Sequence, residues 1–255
     1  MGSEQDFHGK TAVVTGGSRG LGLTVVQTLV ARGAQVAVLA RDAQRLNESL
    51  RELGAGAWAI ATDIGDPDQV RSAFGEIAAR WGKVDFLINN AGVASPYPVD
   101  QLTDLEIGSE LGVNIAGMVY CVRSAVPLMR LAGGGVIVNV SSESAQQPVL
   151  GLALYGATKA AVEAFSMALN GELRADGIRT TVLRLGRMKD TNFNKGWGVE
   201  QRAQAVARWR EAGRFSTESE PMDTRVVADA LATLLLLPPA AQVRLLDLRE
   251  FGALV

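Results

Sequence analysis

Tyr155-Gly156-Ala157-Thr158-Lys159 pairs a phenol with an ammonium at a spacing of four, which on a helix puts both on one face. A neighbouring cation favours the phenolate, so the pKa of Tyr155, about 10 in water, is expected to fall toward neutrality and make it a proton donor at carbonyl-reducing pH. Ser142, in Val138-Asn139-Val140-Ser141-Ser142, adds a second hydroxyl, with Ser141 as its rival. Two preorganised O–H donors are what a carbonyl oxygen needs as negative charge develops on it. Other chemistry has little to build from. The single histidine, His8, reads as a solvated residue of the N-terminal tail and leaves neither a Ser-His-Asp triad nor a His-rich metal site. Cys121 stands in an apolar helical run and reads as a packing residue.

A second constellation lies upstream, in Thr15-Gly16-Gly17-Ser18-Arg19-Gly20-Leu21-Gly22, between an apolar strand and a helix. A turn from strand to helix gathers free backbone N–H groups at the positive end of a helix dipole, and missing side chains let a pyrophosphate approach them. That context predicts dinucleotide binding by Gly16, Ser18, Arg19, Gly20, Leu21 and Gly22.

To hold these two constellations together the chain must form alternating strands and helices. Short β-branched runs predict strands at Thr11–Thr15, Gln35–Ala40, Ala57–Thr62, Asp85–Asn89, Gly135–Ser141, Arg179–Leu185 and Val243–Leu248. The helical patterns between them are Gly20–Arg32, Ala43–Leu53, Pro67–Trp81, Asp104–Leu131, Ala153–Ala175 and Thr224–Leu237. Gly33, Gly54, Gly133 and Gly177 fall where helices should stop. The expected architecture is α/β: seven parallel strands in one doubly wound sheet with helices on both faces, a single domain spanning 1–255. The alternation breaks between Arg187 and Glu220, where a polar, Trp-containing insertion of this length reads as functional or mobile.

Composition narrows the function classes. The chain has 255 residues, 47% apolar and 5% aromatic, with 25 Lys+Arg against 27 Asp+Glu. That balance supplies no basic stripe for nucleic acid. The longest strongly apolar stretch, Leu231 to Leu237, is far short of a membrane span. One cysteine and an N-terminus without the order of a signal peptide point to the cytoplasm.

Taken in order, the motifs resemble those of the short-chain dehydrogenase/reductase family, from about Gly9 to Leu237: Gly-x-x-x-Gly-x-Gly preceded by Thr15, then Asp63-Ile64, Asn89-Asn90-Ala91-Gly92, Asn114, and Ser142 thirteen residues before Tyr155-x-x-x-Lys159. The resemblance implies a Rossmann-type fold with the 187–220 insertion as a helical substrate lid. It implies that Ser142 orients a substrate carbonyl, Tyr155 donates the proton, Lys159 binds the nicotinamide ribose and tunes Tyr155, and Asn114, at the family's helix-kink position, supports a water-linked proton relay. It also places Asp63 and Ile64 at the adenine, Asn90, Ala91 and Gly92 after strand four, and Gly186 beside the nicotinamide. Helices Asp104–Leu131 and Ala153–Ala175 would pair copies into a homodimer or homotetramer.

Cofactor choice follows from the end of strand two. NAD-dependent relatives carry Asp where this chain has Ala40, followed by Arg41. Arg41 and Arg19 suit a 2′-phosphate, so NADP(H) is expected over NAD(H). The alternative gives Asp42 the ribose contact, or only a helix cap. Two departures stand out: Leu185-Gly186 replaces the family's Pro-Gly, with Thr191 one residue late for the carboxamide contact, and the chain lacks the Asp-Gly-Gly tail of 3-oxoacyl reductases. Met188, Phe193, Trp197, Trp209 and Phe215 are expected to wall an apolar substrate site opposite Val149, Leu150 and Leu152. The seven Arg/Lys and three acids of Arg187–Arg214 leave an anionic substrate open. The function expected is reduction of a ketone or 3-oxo compound by NADPH. An NAD-dependent alcohol dehydrogenase and a non-catalytic dinucleotide-binding regulator are the alternatives.

Overall fold

In a computed structural model the described residues are 7–189, 191, 193, 197–211 and 220–251. Seven strands form one parallel sheet: β1 Thr11–Thr15, β2 Gln35–Ala40, β3 Ala57–Ala61, β4 Phe86–Asn89, β5 Gly135–Ser142, β6 Ile178–Leu185 and β7 Leu245–Leu248, in the order β3-β2-β1-β4-β5-β6-β7. Strands covered on both faces should be continuously apolar rather than alternating, and β1 accordingly reads TAVVT with every residue buried.

The helices are α1 Gly20–Ala31, α2 Ala43–Leu50, α3 Pro67–Trp81, α4 Asp104–Leu111, α5 Met118–Leu131, α6 Ala153–Glu172, α7 Val199–Glu211 and α8 Thr224–Leu235. On one face Val14, Val36 and Val38 pack with Leu29 of α1 and Leu231 of α8. On the other, Val13, Leu87 and Ile137 meet Ile77 of α3, Met129 of α5 and Leu169 of α6. Each fully buried aliphatic side chain contributes roughly 1.5–3 kcal/mol. Local chemistry sets the helix starts: the Asp66 carboxylate accepts from the Asp68 and Gln69 amides ahead of Pro67, and Thr103 with Glu106 forms a reciprocal capping box.

The structure differs from the sequence expectation in three ways. The helix expected over Asp104–Leu131 is interrupted by a π-turn, Gly112–Gly117. At 28 residues and a mean hydropathy of 1.4 it is also long and apolar enough to cross a membrane, unlike Leu231–Leu237. Half of that apolar stretch is buried in the protein, where Cys121 and Ala125 fill the core. Third, the helix expected over Ala43–Leu53 ends at Leu50, and Arg51–Gly56 follows as a 3-10 turn; α7 lies in the 187–220 segment, where a helical lid is expected. His8, expected as a solvated tail residue, is exposed but lies against Gly33. The sheet order reverses between β1 and β4, so the loops after those strands open a crevice at the sheet's C-terminal edge.

Candidate active site

The crevice begins with a clamp between two loops. The Thr15 hydroxyl accepts from the Asn90 and Ala91 amides at 3.1 and 3.0 Å, and the Asn90 side-chain amide donates back to the Thr15 and Gly16 carbonyls at 3.0 and 3.3 Å. The clamp works because side chains are missing: a Cβ on Gly22 would stand 2.4 Å from the Gly16 carbonyl oxygen, and one on Gly16, where φ is +68°, 2.9 Å from Ala91 Cα. Gly16, Ser18, Arg19, Leu21, Gly22, Asp63, Ile64, Asn90, Ala91, Gly92 and Gly186 all line one cleft of about 970 Å³. Gly20 does not reach its wall; a Cβ there would meet the Thr191 carbonyl oxygen at 2.5 Å. The N-terminus of α1 and this cradle fit a dinucleotide pyrophosphate.

At one end of the cleft three guanidinium groups converge. Arg19, Arg41 and Arg45 all line it, and Arg19 is held below the ordinary arginine range by burial and then by the repulsion of Arg45 and Arg41. Asp42 lines the same end, its carboxylate capping α2 through the Arg45 amide at 3.0 Å and pairing with Arg45 Nε at 3.7 Å. Of the two roles left open for Asp42, the helix cap is formed, and its place on the cleft wall leaves the ribose contact open to it as well. Asp63 Oδ1 accepts from the Gly65 amide at 2.9 Å, closing the turn after β3.

At the other end stand Ser142, Tyr155 and Lys159. The rival hydroxyl, Ser141, is engaged away from Tyr155: its Oγ donates to Glu163 Oε1 at 2.8 Å, and Glu163 is in turn gripped by Arg184. Ser142 Oγ accepts from the Ser144 amide at 3.2 Å and donates to Ser144 Oγ at 3.3 Å, and it shares the cleft wall with the Tyr155 phenol. The expected lowering of the phenol is corrected. Burial pushes Tyr155 upward, the Ser142 hydroxyl opposes it, and the carboxylates of Glu110 and Glu143 add to the rise. Lys159 lies 5.6 Å from the ring centroid and donates instead to the Val140 carbonyl at 2.8 Å, while burial brings its own pKa down to about 8. A spacing of four shares a face, but here desolvation outweighs the shared face.

Asn114 stands on the π-turn rather than on the cleft wall. Its side chain accepts from the Val93 amide at 2.9 Å and donates to the Val93 carbonyl and the Thr158 hydroxyl at 2.8 and 3.0 Å, tying the loop after β4 to α6. Such π-turns are rare and cluster at functional sites.

Beyond Tyr155 the wall is aromatic. Met188, Phe193, Trp197 and Trp209 line the cleft opposite Val149 and Leu152. Leu150 is exposed and offers its carbonyl to Trp209 Nε1 at 2.6 Å. Phe215, Asp190, Lys195 and Arg214 lie outside the described residues.

Three residues here, Thr15, Arg45 and Glu250, were not singled out as site residues from the sequence, and Thr191 was named there only as one residue late for the carboxamide contact. Thr15 is the clamp hydroxyl. Arg45 sits four residues after Arg41 on α2, a spacing that could have revealed it. Thr191 lies on the cleft over Gly20. Glu250 accepts from the Arg187 amide at 3.0 Å and the Arg187 guanidinium at 2.5 Å, holding the loop after Gly186; no local signal marks it.

Comparison with known proteins agrees with this geometry. The short chain dehydrogenase family model matches residues 10–202. The chain is 31% identical to a 3-oxoacyl-[acyl-carrier-protein] reductase of Salmonella typhimurium over 89% of its length and 90% of that protein's. It is 34% identical to a probable NADP-dependent dehydrogenase of Haemophilus influenzae over 77% of its length and 79% of the relative's. Among solved structures, a serine dehydrogenase complexed with NADP+ superposes with a TM-score of 0.83 at 26% identity, covering 93% of this chain and 94% of that one. A 3-ketoacyl-(acyl-carrier-protein) reductase from Brucella melitensis complexed with NADH gives 0.82 at 27%, over 95% and 98%. With the glycine cradle, the Asn90 clamp and the Ser142, Tyr155, Lys159 set all in the family's order around one cleft, the chain belongs to the short-chain dehydrogenase/reductase family of oxidoreductases.

Proposed function

We propose that the protein is an NADPH-dependent carbonyl reductase acting on a small-molecule ketone or 3-oxo compound. The observation that carries this reading is the Ser142 and Tyr155 hydroxyls on the wall of a cleft whose far end is the glycine cradle. When bound, NADPH supplies the hydride that goes to the carbonyl carbon, so that ketone, NADPH and one proton give secondary alcohol and NADP+. Ser142 and Tyr155 would hydrogen-bond the carbonyl oxygen, and Tyr155 would release its proton to that oxygen as it becomes an alkoxide. A phenol kept neutral by burial suits the reducing direction. Lys159, with a pKa near 8, is poised to hold the nicotinamide ribose and return the proton to Tyr155, and Asn114 supports that relay from behind by fixing Val93 and Thr158. Gly186, whose loop Glu250 holds, would flank the nicotinamide.

Preference for NADPH rests on Arg19, Arg41 and Arg45 and on Ala40 in place of an acid. The names of the Haemophilus relative and of the serine dehydrogenase structure mention NADP, whereas the Brucella structure holds NADH, so the arginines carry the argument. We read the protein as a cytoplasmic homodimer or homotetramer with no nucleic-acid or membrane partner. The test is NADPH oxidation over a panel of ketones, 3-oxo esters and aldehydes, with NADH and Tyr155→Phe as controls. Turnover that the substitution lowers by about 10²–10⁴ supports the reading. Turnover unaffected by Tyr155→Phe, or NADPH binding without any turnover, sinks it.

A further inference from the structure

We propose that the substrate carries a flat aromatic body and, at the end remote from its carbonyl, an anionic group. The inference rests on the carbonyl-reductase reading and names the substrate class of that same site. The chain is poor in aromatics, at 5%, yet Tyr155, Phe193, Trp197 and Trp209 form one ladder along the cleft, with successive ring centroids 5.3, 5.7 and 5.9 Å apart in tilted or edge-to-face pairs. Aliphatic residues would hold any apolar body. Ring faces and edges add a specific preference for a planar π-system.

The polar tips of the two indoles are already satisfied: Trp197 Nε1 donates to the Ala94 carbonyl at 2.7 Å and Trp209 Nε1 to that of Leu150 at 2.6 Å. What they offer the cleft is carbon, fixed before any ligand arrives, so little side-chain entropy remains to be lost on binding. Docking of α7 would need those two bonds, but it does not need Phe193 on the cleft wall, still 37% exposed beside the Tyr155 ring. Val149 and Leu152 add aliphatic surface to the same cleft.

Arg202 supplies the charge. It precedes Trp209 by seven residues, hence on the same face of α7, and lines the same cleft. Neighbouring cations are engaged: Arg187 with Glu250, Lys189 with Glu220, Arg208 with the Pro96 carbonyl. Among the described residues the Arg202 guanidinium has no such partner, and its planar fork suits a carboxylate.

The test is calorimetric binding to the NADP+-loaded protein of three ketones: 6-acetyl-2-naphthoic acid, 2-acetylnaphthalene and cyclohexyl methyl ketone. The expected order is acid tighter than naphthyl ketone by about tenfold, and naphthyl ketone tighter than cyclohexyl ketone by about tenfold, with Arg202→Gln abolishing only the first step. Trp197→Leu would lose an anchor of the lid as well as a ring, so Phe193→Leu, which removes a ring that makes no side-chain hydrogen bond, is the second variant and should shrink only the second step. Equal affinities for the two neutral ketones, an acid preference that survives Arg202→Gln, or no binding of any of the three overturns the proposal. Reduction of all three ketones without this order would leave the reductase reading standing, and the order without reduction would remove the reductase reading while the wall's selectivity stood.

Discussion

The two ends of the cleft recognise by opposite means. At the cradle, Gly16, Gly20 and Gly22 act by what they lack, and the contacts that hold them are backbone and amide bonds between β1 and β4. At the lid, Phe193, Trp197, Trp209 and Arg202 act by what they carry, on a segment outside the sheet. A backbone cradle suits a ligand common to many enzymes, because phosphate geometry does not vary. A side-chain wall on an insertion can diverge without disturbing the sheet.

That contrast breaks first at Gly22. Gly22→Ala places a methyl 2.4 Å from the Gly16 carbonyl oxygen and 2.5 Å from the Asn90 amide, so the clamp must open. Affinity for NADPH and NADH alike should fall by more than about thirtyfold, or ~2 kcal/mol, by calorimetry. Substitutions on the lid should leave cofactor affinity alone. A Gly22→Ala protein that binds NADPH normally would show the cradle to be more forgiving than its packing says.

The junction between the ends is Lys159, and there function and stability oppose each other. A cation whose folded pKa is lowered to about 8 carries a penalty that is present below that pH, where it is charged in both states. The unfolded chain binds the extra proton between about 8 and 10.5, so the penalty fades as pH rises through that window. Lys159→Met should therefore be inactive yet more stable at pH 7, by up to ~3 kcal/mol, less what the lost Val140 bond contributes. Denaturant melts of both proteins should show the gap closing by pH 10.5; a constant gap would assign the difference to packing.

The arginines come next. Arg45→Ala should weaken NADPH by about tenfold, or ~1.4 kcal/mol, and leave NADH within about twofold. Arg41→Ala should do the same. Equal losses for both cofactors would place these residues at the pyrophosphate rather than at a 2′-phosphate.

Legibility followed the same divide. All seven strands stand within a few residues of the positions that β-branched runs predict, and the cradle was readable because its glycines sit between a strand and a helix. The irregularity at Asn114 was legible only through the family resemblance, which puts a helix kink there; periodicity alone could not show it, since an apolar helical run looks the same on either side of the π-turn. The direction of the Tyr155 shift was misread because helical spacing reports direction along a face and says nothing of desolvation or of the Val140 carbonyl that draws Lys159 away. Glu250 was invisible for a different reason: it meets Arg187 across 63 residues of sequence, and only the sheet brings β6 and β7 together. Arg45 was within reach, four residues after Arg41 and in the first turn of α2.

The smallest expected effect bears on how the cradle is kept in register with the arginines. Ser49, in the last turn of α2, donates to the Ser18 carbonyl inside the glycine loop at 2.8 Å and approaches the Arg45 carbonyl at 2.7 Å. One hydroxyl has one proton, so the two acceptors share it, and the bond to Ser18 is the only one of the pair that reaches from the helix carrying Arg45 to the loop carrying Arg19. Ser49→Ala removes that tie without touching a ligand. It should cost about 0.5–1.5 kcal/mol of stability and loosen NADPH by two- to fivefold, with NADH unchanged because only the arginine cluster loses its reference to the loop. Ser49→Thr, which keeps the hydroxyl, should restore both. Loss of NADH affinity in equal measure would mean that Ser49 holds the cradle itself, and that the two halves of the cofactor site are less independent than their different chemistries imply.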